Sequence, residues 1–226
     1  MIRRTIDKLK TILYMLVFKL GIDSEKSYIE LAKNIPGWVN DAELTAKEKV
    51  SFNLPDNAII VEIRAFLGRS TIVTAGARKL RGSGVVHVVD PFDGSGDEFS
   101  IPIYKRIESE LDLSLKEQFL ANIRKARLQE FVIVHVETAE TLAQKWSLPI
   151  DMLILDGDQS VDGARRAYDK WFPFLKPGGV LILHNSGERQ YEKEHDGHRR
   201  IVIESIKPPD FSNPYCIRMT TFAIKN

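Results

Sequence analysis

Residues 58–81, AIIVEIRAFLGRSTIVTAGARKLR, decide the fold of this chain. Residues 58–63 form a continuous apolar run rich in β-branched side chains, and residues 70–81 form a helical stretch after a short break. A run of this length fits a strand that is apolar on both faces, and Ser70 or Thr71 suits the N-cap of the following helix. The stretch therefore predicts a β-strand, a turn and an α-helix.

The same alternation continues toward the C-terminus. Further apolar runs that fit strands lie at residues 85–89, 131–136, 152–155 and 180–183. Helical stretches between and after them lie at residues 115–127, 139–146 and 162–175. Continuous apolar strands joined by helices indicate an α/β fold with a doubly wound, mostly parallel sheet that helices cover on both sides. Ligands of such sheets bind beyond the carboxyl ends of the strands, so functional side chains are expected there.

The composition narrows the class of protein. The 226 residues are 43% hydrophobic and 28% charged, and the formal net charge is +1. This apolar content excludes a fully disordered chain, and the near-zero charge gives no electrostatic reason to expect a nucleic acid as partner. The single cysteine, Cys216, has no partner for an intrachain disulfide, and no Cys/His cluster has zinc-ligand spacing. A reducing cytoplasm is therefore the expected location.

The N-terminal residues 1–20 place a basic start before an apolar stretch. Apolar residues recur there at spacings of three and four, which predicts an amphipathic helix. The apolar stretch of residues 11–20 is too short to span a membrane. The helix can pack on its own domain, on a second subunit in a homodimer, or on an anionic membrane surface. Residues 22–57 carry weak helical signals, so residues 1–57 are expected to form a helical extension or lid on a domain of residues 58–226.

Polar residues follow every predicted strand. Glu62 lies in the first strand, and Asp90 ends the second, where doubly wound folds use a carboxylate to bind the ribose hydroxyls of a nucleoside. Asp156 follows the fourth strand and His184 follows the fifth. The carboxyl edge of the sheet is therefore the expected site of both nucleoside binding and chemistry.

Six motifs, spread in order over residues 58–225, carry a family resemblance. They are VEIRAFLGRST, VVDPFDGSGD, MLILDGDQS, LKPGGVLILHNS, HDGHRR and the closing TTFAIK. Together they resemble class I S-adenosylmethionine-dependent methyltransferases, in particular small bacterial methyltransferase-domain proteins with a DGDH-type motif. The resemblance implies a Rossmann-like sheet with an antiparallel C-terminal strand, S-adenosylmethionine as cofactor, and a small-molecule methyl acceptor.

The resemblance also implies site residues. Glu62 looks like the acidic residue that positions the turn around the methionine part of the cofactor, and Asp90 like the ribose-binding carboxylate. Thr138 and Ala139 resemble backbone contacts to the adenine, and Asp156 faces both cofactor and acceptor. The full cofactor-binding set implied in this way is Glu62, Arg64, Gly68, Ser70, Asp90, Phe92, Thr138, Ala139 and Asp156.

Three positions depart from the family pattern. Arg64 stands where the family has glycine, Gln159 where it has histidine, and Asn185 where it has aspartate. Glycine suits the first position because backbone runs against the cofactor there and because the turn can need dihedral angles that only glycine adopts cheaply. Arg64 can therefore weaken or abolish cofactor binding, or its guanidinium can pair with the carboxylate of the cofactor.

Methyl transfer to a hydroxyl needs in-line alignment and removal of the hydroxyl proton, by a side-chain base or through a metal. The candidate bases are Asp156, His184 and His195. His184 fits either a core histidine or a catalytic base, and His195 fits either a solvated loop or a flap over the acceptor. Because Asn185 leaves the region after the fifth strand short of carboxylates, no metal site is expected.

Two functions remain open from the sequence. The first is an S-adenosylmethionine-dependent O-methyltransferase acting on a sugar or a small secondary metabolite. The second is a methyltransferase-fold protein that has lost catalysis and serves as a binding or assembly module. The substitution Arg64→Gly separates them, because only in the second case should cofactor binding appear in the variant alone.

Overall fold

The structure is a computed structural model that describes residues 27–226. The amphipathic helix predicted for residues 1–20, with its subunit or membrane contacts, lies outside the described residues. Within the described range, no helix is both long and apolar enough to cross a membrane.

Seven strands of the described chain form one sheet. Their bounds are β1 Ile59–Ile63, β2 Val85–Val89, β3 Val132–His135, β4 Ile150–Leu155, β5 Leu175–Leu183, β6 Phe211–Ile217 and β7 Thr220–Lys225. The spatial order is β3-β2-β1-β4-β5-β7-β6, and β1 to β5 pair in parallel. Strand β7 runs antiparallel to both β5 and β6. The predicted doubly wound, mostly parallel sheet with an antiparallel C-terminal strand is therefore confirmed.

Helices connect and cover these strands. Their bounds are α1 Tyr28–Lys33, α2 Asp41–Asn53, α3 Arg69–Arg81, α4 Ser100–Ser109, α5 Leu115–Lys125, α6 Ala139–Ala143, α7 Val161–Trp171 and α8 Gly197–Ser205. Asn40 and Glu43 form a capping box at the start of α2, and Ser114 and Glu117 form another at the start of α5. These caps satisfy backbone N–H groups that the first helical turn leaves free.

Some element boundaries differ from the sequence prediction. Gly68, rather than Ser70 or Thr71, is the N-cap of α3, because both hydroxyls bind a buried carboxylate of β1 instead. Helix α7 ends at Trp171, since Pro173 lies in the 3₁₀ turn that follows it. Helix α4 was not predicted at all.

Two apolar clusters cover the two faces of the sheet. Neighbouring strand residues divide between them: Ile60 joins the cluster under α2, α3 and α5, while Val61 joins the cluster under α6, α7 and α8. Trp171 is fully buried in the second cluster, and its indole Nε1 donates to the Ala139 carbonyl at 3.0 Å. Burial on both faces explains why the parallel strands are continuously apolar in sequence.

The N-terminal segment of the described chain packs on α3. The Arg69 guanidinium donates to the carbonyls of Lys33, Ile35 and Val39 at 2.7 to 3.2 Å. Arg78, which is fully buried, donates to further carbonyls at the end of α2 and just beyond it. Arg69 therefore holds the segment around α1 beside the carboxyl ends of the strands, and Arg78 holds the end of α2 beside the amino ends of β1 and β2.

Candidate active site

The turn after β1 has an unusual backbone. Arg64, Phe66 and Gly68 have φ angles of 67°, 50° and 89°, so every second residue of the turn is left-handed. Such angles suit glycine, and a residue with a side chain adopts them at a cost of about 1–2 kcal/mol. Arg64 therefore occupies a position whose backbone geometry matches the glycine of the family pattern.

Glu62 lies beneath this turn, fully buried in β1. Its carboxylate accepts hydrogen bonds from the Ser70 hydroxyl and, at 2.6 Å, from the Thr71 hydroxyl. Burial raises the pKa of Glu62, although the nearby Lys47 ammonium and these two hydroxyls oppose the rise. Glu62 therefore joins β1 to the first turn of α3 and fixes the course of the chain between them.

Asp90, at the end of β2, is 3% exposed and holds the turn from the other side. Its carboxylate accepts from the backbone N–H groups of Ala65 at 2.9 Å, Phe66 at 3.0 Å and Phe92 at 2.7 Å. Burial raises the pKa of Asp90 above its usual value, against the effects of Arg64 and these backbone donors. The predicted ribose-binding carboxylate thus also organises the turn.

The Arg64 side chain extends from the turn toward the loop after β2. Its Nη2 donates to the Ser95 hydroxyl at 2.8 Å. Its Nη1 lies 3.6 Å from a carboxylate oxygen of Asp93 and 3.9 Å from one of Asp90. Only 22% of the side chain is exposed. The guanidinium therefore links the ends of β1 and β2.

A cavity of about 60 Å³ lies at the carboxyl ends of β1, β2 and β4. Arg64, Asp90, Phe92 and Asp156 all line it. The aromatic rings of Trp38, Phe66 and Tyr104 form another part of the wall, with centroids 5.3 to 5.4 Å apart. The predicted lid thus contributes Trp38 to the cavity.

Asp156 follows β4 and faces this cavity. Among the described residues, no side-chain or backbone donor hydrogen-bonds its carboxylate. Burial raises the pKa of Asp156 to about 8, with the charges of Glu62 and Glu43 adding to the rise and that of Lys47 opposing it. A carboxyl group in this state exchanges a proton near neutral pH, as a general acid or base must.

The two candidate histidines lie outside the residues that line the cavity. His184 is buried, with Nδ1 at 3.1 Å from the Thr220 hydroxyl, and burial holds its pKa well below the usual value. The His195 ring is also buried, and its nitrogens lie 2.9 Å from Asp97 and 3.0 Å from the Asn185 amide. Both rings are thus engaged within the protein, and their catalytic roles stay predictions.

The loop DGSGDE, residues 93–98, follows β2 beside the cavity. Its residues 94–96 line the cavity, but Asp97 is anchored in the interior. Burial alone would raise the pKa of Asp97, yet hydrogen bonds from His195 and Ser100 lower it to about 2. The Gln159 backbone N–H donates to the same carboxylate. Asp97 therefore ties the loop to the residues that follow β4 and to the loop before α8.

The remaining predicted cofactor residues divide into two groups. Ser70 lines the cavity. Gly68, Thr138 and Ala139 do not. A Cβ at Gly68 would lie 3.1 Å from the Phe119 ring, and Thr138 caps α6 by accepting from the Thr141 backbone N–H. Their placement therefore assigns them packing and capping contacts, and their contact with a cofactor stays a prediction.

Tyr104, which lines the cavity, and Lys47, which does not, were not predicted as site residues from the sequence. Tyr104 lies on the unpredicted α4, and burial raises its pKa far above the usual value. Lys47 lies fully buried on α2, in the segment treated only as a lid. Its signal in the sequence was the polar series Glu43, Lys47 and Ser51 at four-residue spacing, which gives a helix a polar face toward the domain.

The chemistry of the lining residues fits a nucleoside-type cofactor, but the volume of the cavity is small for such a ligand. Carboxylates and an aromatic ring stand where such a ligand binds in doubly wound folds. Small-molecule sites usually measure about 300–1,000 Å³, and the cavity of about 60 Å³ is smaller than that range. Across residues 27–226, no three His, Cys, Asp or Glu side chains cluster as metal ligands would.

Comparison with known proteins gives one family and several similar folds. The model of a methyltransferase domain family matches residues 61–186. An O-methyltransferase of tomaymycin synthesis from Streptomyces achromogenes, solved with S-adenosylmethionine, has 16% identity and a TM-score of 0.61 over 89% of this chain and 90% of its own. An O-methyltransferase from Bacillus cereus, solved with S-adenosylhomocysteine, has 18% identity and a TM-score of 0.61 over 89% and 92%. A protein from Corynebacterium glutamicum has 12% identity and a TM-score of 0.63 over 95% and 97%.

The solved structures establish similarity of fold, and the family match establishes the family. It covers more than half of the chain and runs from β1 past the end of β5, so that Glu62, Asp90 and Asp156 all lie within it. The chain therefore belongs to the methyltransferase domain family, which confirms the predicted resemblance to class I S-adenosylmethionine-dependent methyltransferases.

Proposed function

We propose that the protein transfers the methyl group of S-adenosylmethionine to a hydroxyl oxygen of a small polar acceptor, such as a sugar or a secondary metabolite. One observation carries this proposal: the Asp156 carboxyl lines the cavity, is free of side-chain hydrogen bonds within the described chain, and has a pKa raised to about 8 by burial. It is the group in the cavity best suited to take a hydroxyl proton.

The cofactor would be held by the ends of β1 and β2. A carboxylate has about four acceptor positions, and backbone N–H groups use three of those on Asp90. One position therefore remains for a ribose hydroxyl. Phe92, beside Asp90, presents an aromatic ring to the cavity. When bound, the cofactor supplies an electrophilic methyl group on a sulfonium.

Asp156 acts on the acceptor. Its carboxylate accepts the hydroxyl proton while the oxygen forms a bond to the methyl carbon and the bond from that carbon to sulfur breaks. The products are the methylated oxygen, S-adenosylhomocysteine and a protonated Asp156, which then returns its proton to water. Below pH 8 the carboxyl is mostly protonated, so the rate should rise with pH until about 8.

The aromatic group of Trp38, Phe66 and Tyr104 favours a dry reaction site. The three rings contact one another across the lid segment, the β1 turn and α4. Exclusion of water strengthens electrostatic interactions in the cavity and limits competing reactions. The same rings offer an apolar surface on which a sugar or an aromatic acceptor can pack.

The test compares Asp156→Asn with Asp158→Asn, an acidic neighbour whose carboxylate accepts from the Ser160 backbone N–H. The assay follows transfer of labelled methyl from S-adenosylmethionine to monosaccharides, phenols and hydroxy acids, with binding of S-adenosylhomocysteine measured in parallel. Asp156→Asn should bind within about threefold of wild type and lose about 10²–10⁴ in rate, while Asp158→Asn stays close to wild type. Full activity in Asp156→Asn would refute the base assignment, and transfer to none of these hydroxyl acceptors by the wild type would refute the substrate class.

A second function, a binding or assembly module without methyl transfer, is supported by the position of Arg64. Its guanidinium bridges Ser95, Asp93 and Asp90 at the cavity where the cofactor would lie. In that case the wild type should not bind S-adenosylhomocysteine, and Arg64→Gly should gain binding.

A further inference from the structure

Lys47 is the most unusual buried group of the described chain. Its side chain has no exposed surface, and its Nζ has no hydrogen-bond partner. Burial of an ammonium without hydrogen bonds is costly, so such a group persists where other charges offset it or where it has a task. The contacts around Lys47 identify those charges.

The neighbours of Lys47 on α2 fix its position. Glu43, one turn earlier, accepts from the Met219 backbone N–H and the Thr220 hydroxyl, both at 2.9 Å. Ser51, one turn later, donates to the Thr74 carbonyl at 2.8 Å. Residues four apart lie on one helix face, so Lys47 enters the interior between the start of β7 and α3. The Thr220 hydroxyl also lies 3.1 Å from His184 Nδ1, and the His184 backbone N–H donates to the Leu155 carbonyl, so this face of α2 packs beside the carboxyl ends of β5 and β4.

Charged groups from several elements surround it. The Lys47 charge lowers the pKa values of Glu62 on β1, Asp156 after β4 and His184 after β5. Glu43 lies on the same helix and raises the pKa of Asp156. The Lys47 ammonium therefore acts on the carboxyl groups of both Glu62 and Asp156 and influences which of them carries a proton.

Other groups face Asp156 across the cavity. Tyr104 of α4 is close enough that the Asp156 charge raises its pKa, in addition to the larger effect of burial. The Arg64 guanidinium lines the same cavity but pairs with Asp90 and Asp93. Tyr104 carries no positive charge, and the Arg64 charge is paired with other carboxylates, so Lys47 is the cation that acts on Asp156.

We propose that Lys47 is a positioning residue of the active site, whose buried ammonium stabilises the carboxylate form of Asp156. This inference rests on the proposed function, in which Asp156 is the base. Without the ammonium, burial and the two glutamates would keep Asp156 protonated, and it could not accept a proton from the acceptor. The N-terminal segment is then part of the catalytic machinery.

The test measures the ionisation of Asp156 directly, in the full chain. Protein labelled with ¹³C at the aspartate carboxyl carbon is titrated by NMR from pH 6 to about pH 12, and the Asp156 signal is assigned with Asp156→Asn. Lys47→Met removes the charge, Lys47→Arg keeps it, and Lys49→Met removes an exposed charge from the same helix.

The wild-type midpoint is expected near pH 8. Lys47→Met should raise it by about 1 to 3 pH units, while Lys47→Arg and Lys49→Met should stay within about half a unit. An unchanged midpoint in Lys47→Met, or an equal rise in Lys49→Met, would overturn the proposal.

Two further measurements separate a failure of Lys47→Met to fold from a failure of the proposed function. Should Lys47→Met fail to fold, the ¹⁵Nζ signal of Lys47 in the wild type must shift with the same midpoint as Asp156, and a signal that does not shift overturns the proposal. The proposed function is tested by binding of S-adenosylhomocysteine to the wild type. If the wild type does not bind S-adenosylhomocysteine but Lys47→Met still raises the Asp156 midpoint, the proposed function is refuted and the electrostatic role of Lys47 stands.

Discussion

The substitution Arg64→Gly should tighten cofactor binding while leaving the fold about as stable. Arg64 has a φ of 67°. A residue with a side chain adopts this angle at a conformational cost of about 1–2 kcal/mol, which glycine does not bear. The substitution also removes the hydrogen bond to Ser95 and the long ion pairs with Asp93 and Asp90, worth about 1–2 kcal/mol together. Since the two effects oppose each other, the free energy of unfolding should change by less than about 1 kcal/mol.

Binding responds differently from stability. The wild type must break the Arg64 contacts to enlarge the cavity of about 60 Å³, whereas the glycine variant has no such contacts. A difference of about 1.4 kcal/mol corresponds to a tenfold change in Kd. We therefore expect Arg64→Gly to bind S-adenosylhomocysteine about tenfold more tightly than the wild type.

Calorimetric titration and thermal unfolding of two variants separate the side chain from the backbone. Arg64→Ala should gain the same affinity, because it also lacks the guanidinium. It keeps the left-handed φ, however, and should be less stable than Arg64→Gly by about 1 kcal/mol, or about 2–4 °C in Tm. Weaker binding in both variants would contradict this prediction and indicate that Arg64 pairs with the carboxylate of the cofactor.

Three further predictions concern other parts of the site. Asp97→Asn should destabilise the protein by about 2 kcal/mol at pH 7, because the fold lowers the pKa of Asp97 to about 2. This stabilisation is present above about pH 4 and is lost as the pH falls from about 4 to 2. Equal urea midpoints for the variant and the wild type at pH 7 would contradict the prediction. Gly68→Ala should lower the free energy of unfolding by about 2 kcal/mol or more, because the Phe119 ring lies 3.1 Å from the new Cβ. Gly82→Ala is the control, since Gly82 also has a positive φ but no atom within 4 Å of an added Cβ, and it should lower the free energy of unfolding less. An equal decrease in Tm for the two variants would exclude the packing effect. Trp38→Ala should weaken S-adenosylhomocysteine binding about fivefold with a Tm change of only a few degrees, and unchanged affinity would place Trp38 outside the site.

The parallel strands of the sheet were predictable because strands that are buried on both faces are continuously apolar in sequence. Residues 85–89 were placed as a strand with the observed bounds, since a strand buried on both faces has no polar interruption. Helix α4 was missed because Pro102 and the polar loop before it hide the helical pattern, and its start depends on Asp97, whose carboxylate accepts from the Ser100 backbone N–H. The same carboxylate lies 2.9 Å from the His195 ring, a contact that only the tertiary fold brings about.

The site was predictable where a residue directly follows a strand. Asp90 and Asp156 were placed beside the cavity because the carboxyl ends of parallel strands share one edge of the sheet. Lys47 could not be placed from the sequence, because its role depends on how α2 packs over that edge. His195 was identified, but its pairing with Asp97, 98 positions earlier, follows only from the tertiary fold.

The most direct test of the central claim is calorimetric titration of the wild-type protein with S-adenosylhomocysteine. We expect binding with a micromolar Kd, about −8 kcal/mol, with the Arg64 side chain displaced from the cavity and Asp90, Phe92 and Asp156 in place. Absence of heat at two temperatures, with the protein folded and with Arg64→Gly also failing to bind, would contradict the claim that this cavity is a cofactor site.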